Sequence, residues 1–241
     1  MYAIIANFGD DSIALIQWAY ENKLNDVHVL SVDTGWQGEQ WEARCELADK
    51  WIKALEFTHQ RLKPEHDFST LVEARKQFPS QKFHWCAGFL KGMAILSWLE
   101  EHDEDFTATV LLPNQRSMSK SQFDLPFKIE ESERYDDRAV SYPLYAHSKS
   151  SRDALIEKTP FKTPLNHRSL ECQACIHFTQ QDTNTLTKND IQRIEALESK
   201  VNTTMFDKPF SAYLADKKNA TDKNYYDEFA KTCSWDYGCG L

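Results

Sequence analysis

Tyr2-Ala3-Ile4-Ile5-Ala6-Asn7-Phe8-Gly9-Asp10-Asp11-Ser12 is the stretch on which the fold turns. A short apolar run is stopped by Asn7-Phe8-Gly9, and from Ser12 the apolar residues Ile13, Leu15, Ile16 and Ala19 recur at helical spacing. That pattern reads as strand, tight loop, helix. Working outward, Val27-His28-Val29-Leu30-Ser31-Val32 is a second buried strand stopped by Asp33-Thr34-Gly35, a helix follows over about 37–55, and 56–62 alternates as a third strand. A helix over 88–99 and a strand over 107–112 continue the alternation. Strands that alternate with helices predict an α/β fold, a doubly wound parallel sheet with helices on both faces.

Beyond that sheet, 117–138 is polar without a clear period and reads as a surface loop, 150–158 as a short helix, and 159–168, with two prolines, as a connector. From Cys172 the character changes, with a Cys-x-x-Cys, a helix over 188–200 and an aromatic tail ending in Cys239-Gly240-Leu241. The expected organisation is a nucleotide-binding α/β region over 1–165 and a Cys-rich, mainly helical C-terminal appendage over 166–241.

Composition narrows the function classes. The chain has 241 residues, 28 Lys+Arg against 37 Asp+Glu, a formal charge of −9 and 41% hydrophobic residues, an ordinary globular balance. No run approaches the roughly 18 apolar residues of a membrane span, and the N-terminal apolar run is too short for a signal peptide, so a cytoplasmic protein without membrane attachment is expected. The acidic balance opposes a broad nucleic-acid footprint and leaves room for a local basic patch only. A homo-oligomer is compatible with all of this. Six cysteines (Cys45, Cys86, Cys172, Cys175, Cys233 and Cys239), four of them in the last third of the chain, point to a metal or redox site instead of a disulfide framework.

Asn7, Phe8, Gly9, Asp10, Asp11 and Ser12 form the first chemical constellation. A glycine lets backbone approach a phosphate, the helix start offers unpaired N–H groups, and the Ser12 hydroxyl adds a donor. The alternative is an ordinary helix cap, since Asp and Ser both cap. The Gly-x-Gly-x-x-Gly and Gly-x4-Gly-Lys-Ser/Thr fingerprints are absent. Further along, Lys149 and Arg152 beside Ser148 and Ser150 either contact phosphate or are surface charges at a helix start. The run Glu100-Glu101-His102-Asp103-Glu104-Asp105 reads as a solvated turn.

Five motifs in chain order carry a family resemblance. Asn7–Ser12 resembles the Ser-x-Gly-x-Asp-Ser pyrophosphate loop of the N-type ATP pyrophosphatases and phosphoadenylylsulfate (PAPS) reductases, the adenine nucleotide alpha hydrolase-like superfamily. Val32-Asp33-Thr34-Gly35 resembles their Val-Asp-Thr-Gly, and His84-Trp85-Cys86 with Leu90-Lys91 their Trp-Cys-x-x-x-Leu-Lys. Tyr142-Pro143-Leu144 is similar to their Tyr-Pro-Leu, and Cys172-Gln173-Ala174-Cys175 to the Cys-x-x-Cys of cluster-bearing members. The resemblance spans residues 2 to about 200. It implies that the Asn7–Ser12 loop with Asp33, Thr34 and Gly35 binds an adenine nucleotide, ATP or PAPS/APS with Mg²⁺, that Asp11 takes part in catalysis, and that Arg116, in Asn114-Gln115-Arg116, clamps an anion, a solvated loop arginine being the alternative.

The chain also departs from the family. Asn7 replaces Ser, Asp10 stands where the sulfonucleotide enzymes often have Lys, and the Glu-Ser after the Arg116 segment is missing. Asp10 puts a second negative charge beside phosphate, which Mg²⁺ or an Arg must offset. The resemblance further implies an iron–sulfur cluster on Cys86, Cys172 and Cys175, with Cys233 or Cys239 as fourth ligand or both tail cysteines in place of Cys86; zinc accepts the same donors. Tyr237-Gly238-Cys239-Gly240-Leu241 resembles the Cys-Gly-Leu-His tail whose cysteine attacks the sulfur of PAPS, without its His, so Cys239 has two competing roles, ligand or nucleophile.

Three readings of function follow. The first is ATP-dependent, pyrophosphate-releasing sulfur transfer that uses a sulfur donor and, as acceptor, a small metabolite or a nucleic acid. The second is a sulfonucleotide reductase paired with a thioredoxin-like reductant. The third is a nucleotide- or metal-binding module without catalysis that serves in a complex.

Overall fold

The computed structural model describes residues 1–80, 83–116, 124–165, 168–178 and 180–217. Six strands form one sheet among these residues: β1 (Tyr2–Ile5), β2 (Val27–Val32), β3 (Thr58–Leu62), β4 (Thr109–Leu111), β5 (Lys128–Ser132) and β6 (Arg138–Ser141), in the order β3-β2-β1-β4-β6-β5. All neighbours are parallel except the β5–β6 edge pair. The chain steps outward from β1 to β3 and then returns to β4 on β1's other side. The crevice at the carboxyl ends of β1 and β4 is therefore the switch point at which ligands bind in such sheets.

Alternation along β1 explains the two layers. Ile4 and Ala6 face the core formed with α1 (Asp10–Glu21) and α2 (Trp41–Ala54), whereas Ala3 and Ile5 face the core formed with α4 (Met93–His102). α5 (Lys149–Ile156) packs on the α1 side through Leu155 and Ile156. A third core joins Trp36, α3 (Phe68–Arg75), a π-helical turn (Ala87–Gly92) and Trp85 to Ala174 and Ile176 of the Cys-x-x-Cys segment. It also takes in α7 (Lys188–Val201) and α8 (Phe210–Lys217); a short α6 (Gln180–Thr183) lies between the segment and α7.

The doubly wound sheet expected from the sequence is present, and three local expectations are corrected. The stretch 117–138, read as a loop, contains β5 and the start of β6; Lys-Ile-Glu-Glu-Ser shows no apolar run because β5 is a charged edge strand with its side chains mostly exposed. α3 was not expected, since only Phe68 and Val72 of its eight residues are buried. Asp103 is not part of a solvated turn. It is buried, pairs with Arg138 at 2.7 Å and accepts the Thr107 and Ala108 N–H groups. No helix among the described residues is long and apolar enough to cross a membrane.

Candidate functional site

The loop from β1 to α1 is built from inside outward. Phe8 has φ +49°, a conformation that costs a non-glycine residue about 1–2 kcal/mol. Its buried ring meets Trp41 at 5.7 Å and His59 at 5.3 Å, and burial of such a ring offsets that cost with roughly 1.5–3 kcal/mol. The Asn7 side chain then staples the turn: Oδ1 accepts the Gly9 N–H at 2.9 Å and the Ser12 hydroxyl at 3.1 Å. Gly9 is the N-cap of α1, and no side chain caps this helix, so Asp10, Asp11 and Ser12 lie inside the first turn. By contrast, Asp67 caps α3, and Ser148 and Thr187 form capping boxes at α5 and α7. Apart from the Gly9 N–H, which Asn7 takes, the start of α1 thus keeps its first-turn N–H groups and positive dipole end without a capping side chain, the arrangement that suits an anion.

Two acidic residues occupy that turn. Asp11 is buried, and its Oδ1 accepts from Gln115 Nε2 at 2.8 Å and from Arg152 at 2.9 Å. Burial pushes the Asp11 carboxyl above the usual carboxylate range, against the pull of Arg152. Asp10 accepts the Leu165 N–H at 2.8 Å and stands 3.9 Å from Arg152. On the other flank Arg44, from α2, donates to the Phe8 carbonyl at 2.5 Å and lies 4.4 Å over the Phe161 ring. Burial lowers its pKa to about 10. After β4, Asn114 is fully buried and neither amide atom has a partner among the described residues, while its neighbour Gln115 reaches Asp11. Arg116 is occupied elsewhere: it donates to the Leu125 carbonyl at 2.7 Å and stacks 4.8 Å over Tyr145.

The turn after β2 closes the opposite side of the crevice. Asp33 continues the β2–β3 pairing by donating its N–H to Leu62, and its half-exposed carboxylate accepts from Gln37 and lies 3.7 Å from Arg61. Gly35 has φ +67°, and a Cβ there would sit 2.5 Å from the Cβ of Asp67, so glycine is required twice over. The Thr34 hydroxyl is spent inside the protein, donating to the Glu171 carbonyl at 2.8 Å.

That last bond belongs to a set that ties the cysteine segment to both loops. The Ser169 hydroxyl donates to the Asn7 carbonyl, the Glu171 N–H donates to Ser169 at 3.2 Å, and the Cys172 thiol lies 3.8 Å from the Thr34 hydroxyl. Glu171 itself is buried with Lys91, 2.8 Å away, and burial raises its pKa. Lys91 lies on the same π-helical turn that begins beside Cys86, so Cys86, Cys172, Cys175 and Glu171 come to line one cavity of about 40 Å³. His177, whose two ring nitrogens are buried without a partner among the described residues, stands 5.9 Å from His84, and burial pushes its pKa down to about 3.

Three of the expected ligands, Cys86, Cys172 and Cys175, therefore line one cavity. Among the described residues, however, no three His, Cys, Asp or Glu side chains are placed to hold a metal ion. Cys233 and Cys239 lie outside the described residues. Cys45 is buried in the α1-side core, and burial raises its thiol to about 12.

Several residues of the site carried no motif signal. Arg44 is a single polar residue in an otherwise ordinary context, Gln115 lies in the Asn114-Gln115-Arg116 segment, which points by resemblance only to Arg116, and only the polar cluster directly before the Cys-x-x-Cys hints at Ser169 and Glu171.

No family model matches the chain, and no curated protein matches it. Among solved structures it is similar to a phosphoadenylyl-sulfate (PAPS) reductase from Candida auris in a phosphate complex, at 16% identity over 67% of this chain and 74% of that one, with a TM-score of 0.47. It is similar as well to NMN synthetase from Francisella tularensis, at 12% identity over 94% and 85% of the two chains with a TM-score of 0.48. A third is the NH3-dependent NAD synthetase from Campylobacter jejuni, at 14% identity over 94% and 85% with a TM-score of 0.42.

Proposed function

We propose that the chain is an adenine-nucleotide enzyme that activates an acceptor with ATP and then transfers sulfur to it. The Asn7–Ser12 loop and the start of α1 hold the phosphates, with Mg²⁺ offsetting Asp10 and Asp11, and Asp33 borders the nucleoside. An acceptor oxygen attacks the α-phosphorus, the α–β phosphoanhydride bond breaks and pyrophosphate leaves. A sulfur nucleophile then attacks the adenylated carbon, and AMP departs with the oxygen. What supports this reading is one observation: the Ser169–Cys175 segment is hydrogen-bonded to both crevice loops, through Asn7 and Thr34, so thiols stand beside the place where the phosphates would lie.

Cys86, Cys172 and Cys175, with Cys233 or Cys239, are the donors for an iron–sulfur cluster or a zinc ion. When bound, such a group would supply affinity for the incoming sulfur. A second reading rests on the tail Tyr237-Gly238-Cys239-Gly240-Leu241. In it a free thiolate, that of Cys239, attacks the sulfate sulfur of PAPS or APS, the nucleotide leaves, and a thioredoxin-like dithiol releases sulfite.

Anaerobic purification with iron, sulfide and zinc quantification, on the wild type and Cys172→Ala, is paired with assays for pyrophosphate release from ATP and sulfite release from PAPS. Bound iron that Cys172→Ala removes, together with pyrophosphate release in the presence of a thiol donor, is the expected result. A metal-free protein that releases sulfite moves the function to the second reading. Tight ATP binding without either product refutes both and leaves a binding module.

A further inference from the structure

We propose that Arg152 is the cation of the phosphate site, held in the free chain by three carboxylates that an incoming phosphate must displace. The inference rests on the reading that phosphates bind at the start of α1.

The geometry puts one guanidinium among three acids. Arg152 Nη1 donates to Asp11 at 2.9 Å, Nε and Nη2 both donate to a single oxygen of Asp153 at 2.9 and 2.7 Å, and Nη2 lies 3.9 Å from Asp10. Its side chain is 12% exposed, enough to meet a ligand and too little for water to screen it fully. It begins 141 positions after Asp11 in the chain, on α5, whose start is fixed by the Ser148–Ser151 capping box and which packs on α1.

Charge decides what this arrangement does. The uncapped start of α1 suits an anion, but Asp10 and Asp11 stand in its first turn, and two carboxylates there repel phosphate more than a helix dipole worth about 0.3–1 kcal/mol attracts it. The site needs a cation on the same spot. Arg116 is bound to the Leu125 carbonyl, and Arg44 to the Phe8 carbonyl behind the loop, whereas Arg152 is the arginine that touches both acids of the turn. Beside this group, Gln115 shares Asp11 Oδ1 with Arg152, and the amide of its fully buried neighbour Asn114 has no partner among the described residues. Asp153 then has a distinct task. It keeps two Arg152 donors occupied, and phosphate, a stronger bidentate acceptor, takes them over when it arrives.

The test is calorimetric titration with Mg²⁺-ATP, PAPS and inorganic pyrophosphate, with thermal unfolding of each ligand-free variant as a folding control. Arg152→Gln is expected to weaken binding by on the order of tenfold or more, and Arg152→Lys to recover part of it. In the Arg152→Gln background, Asp10→Lys is expected to restore affinity, because it returns a cation to the turn by another route. Asp153→Asn keeps the Asp11 pair and removes the competitor, so it tightens binding severalfold. Should Arg152→Gln not fold, the direction of the Asp153→Asn effect decides: unchanged or weaker binding overturns the proposal. So does an Arg152→Gln variant that folds and binds like the wild type, or one that Asp10→Lys leaves unrescued. A wild type that binds none of the three probes overturns the nucleotide reading itself, and the inference with it.

Discussion

Cysteine chemistry in this chain is sorted by the surroundings of each thiol. Cys45 sits between Ala48, Trp41 and the sheet, where burial raises its thiol to about 12, while Cys86, Cys172 and Cys175 are half-buried around a shared cavity. Reactivity follows the thiolate fraction. In chelator-treated native protein at about pH 8, iodoacetamide should label Cys86, Cys172 and Cys175 and leave Cys45 unmodified until the chain is unfolded, as read by peptide mass spectrometry. Labelling of Cys45 at the rate of the other three would show that its packing is not as described. The same scale explains why Arg152 could not be chosen from the sequence. Next to Ser148 and Ser150 it reads equally well as a surface charge at a helix start, and only the approach of α5 to α1 brings it within 2.9 Å of Asp11.

Helix starts differ in whether a side chain caps them. α7 opens with a complete capping box, Thr187 bonding the Asp190 N–H at 3.2 Å and Asp190 bonding the Thr187 N–H at 2.9 Å, and buries Ile194 and Leu197 in the third core. Thr187→Ala should cost about 1 kcal/mol of unfolding free energy in urea titration with nucleotide affinity unchanged, since that helix start serves only the fold. A loss of nucleotide affinity in that variant would show that α7 reaches the crevice. α1 is the opposite case, with Gly9 at its cap, the Gly9 N–H taken by Asn7, and no capping side chain on the N–H groups of its first turn. Asp and Ser at 10–12 left cap and phosphate loop equally open in the sequence. In the structure none of them caps, because Gly9 is the N-cap and Asp10, Asp11 and Ser12 are the first three residues of the helix. β5 stayed illegible for a different reason, because an edge strand with most of its side chains exposed and only Ile129 packed on the core needs no apolar pattern, only a neighbour to pair with.

Over the whole molecule, two buried ion pairs bind distant parts of the chain: Lys91 with Glu171 under the crevice, and Arg138 with Asp103 across the β6 and α4 ends. Burial pushes the Asp103 carboxyl up, but Arg138 and the Thr107 and Ala108 N–H groups outweigh it and hold its pKa below the usual range. A depressed carboxylate contributes stability that is present above its unfolded value, about 3.9, and is lost as pH falls through the folded one. Arg138→Met leaves that carboxylate buried and unpaired, so it should lower unfolding free energy by about 3–5 kcal/mol near pH 7. The penalty should shrink as pH falls, starting where the variant's Asp103, without Arg138 to lower its pKa, takes up a proton, which it does at higher pH than in the wild type. A penalty that stays constant from neutral to acid pH would show that the pair is not what holds this corner together. By itself the sequence determined the βαβαβ order, the parallel sheet and the loop that ends β1, because apolar period and turn residues are local properties of a chain. It also determined that Cys86, Cys172 and Cys175 are the thiols to watch. Only the tertiary structure decided which polar residues meet: Arg152 with Asp11, Glu171 with Lys91, Ser169 with Asn7. Those partners lie 80 to 162 positions apart, and no local pattern can specify a pairing that exists only after the layers have packed.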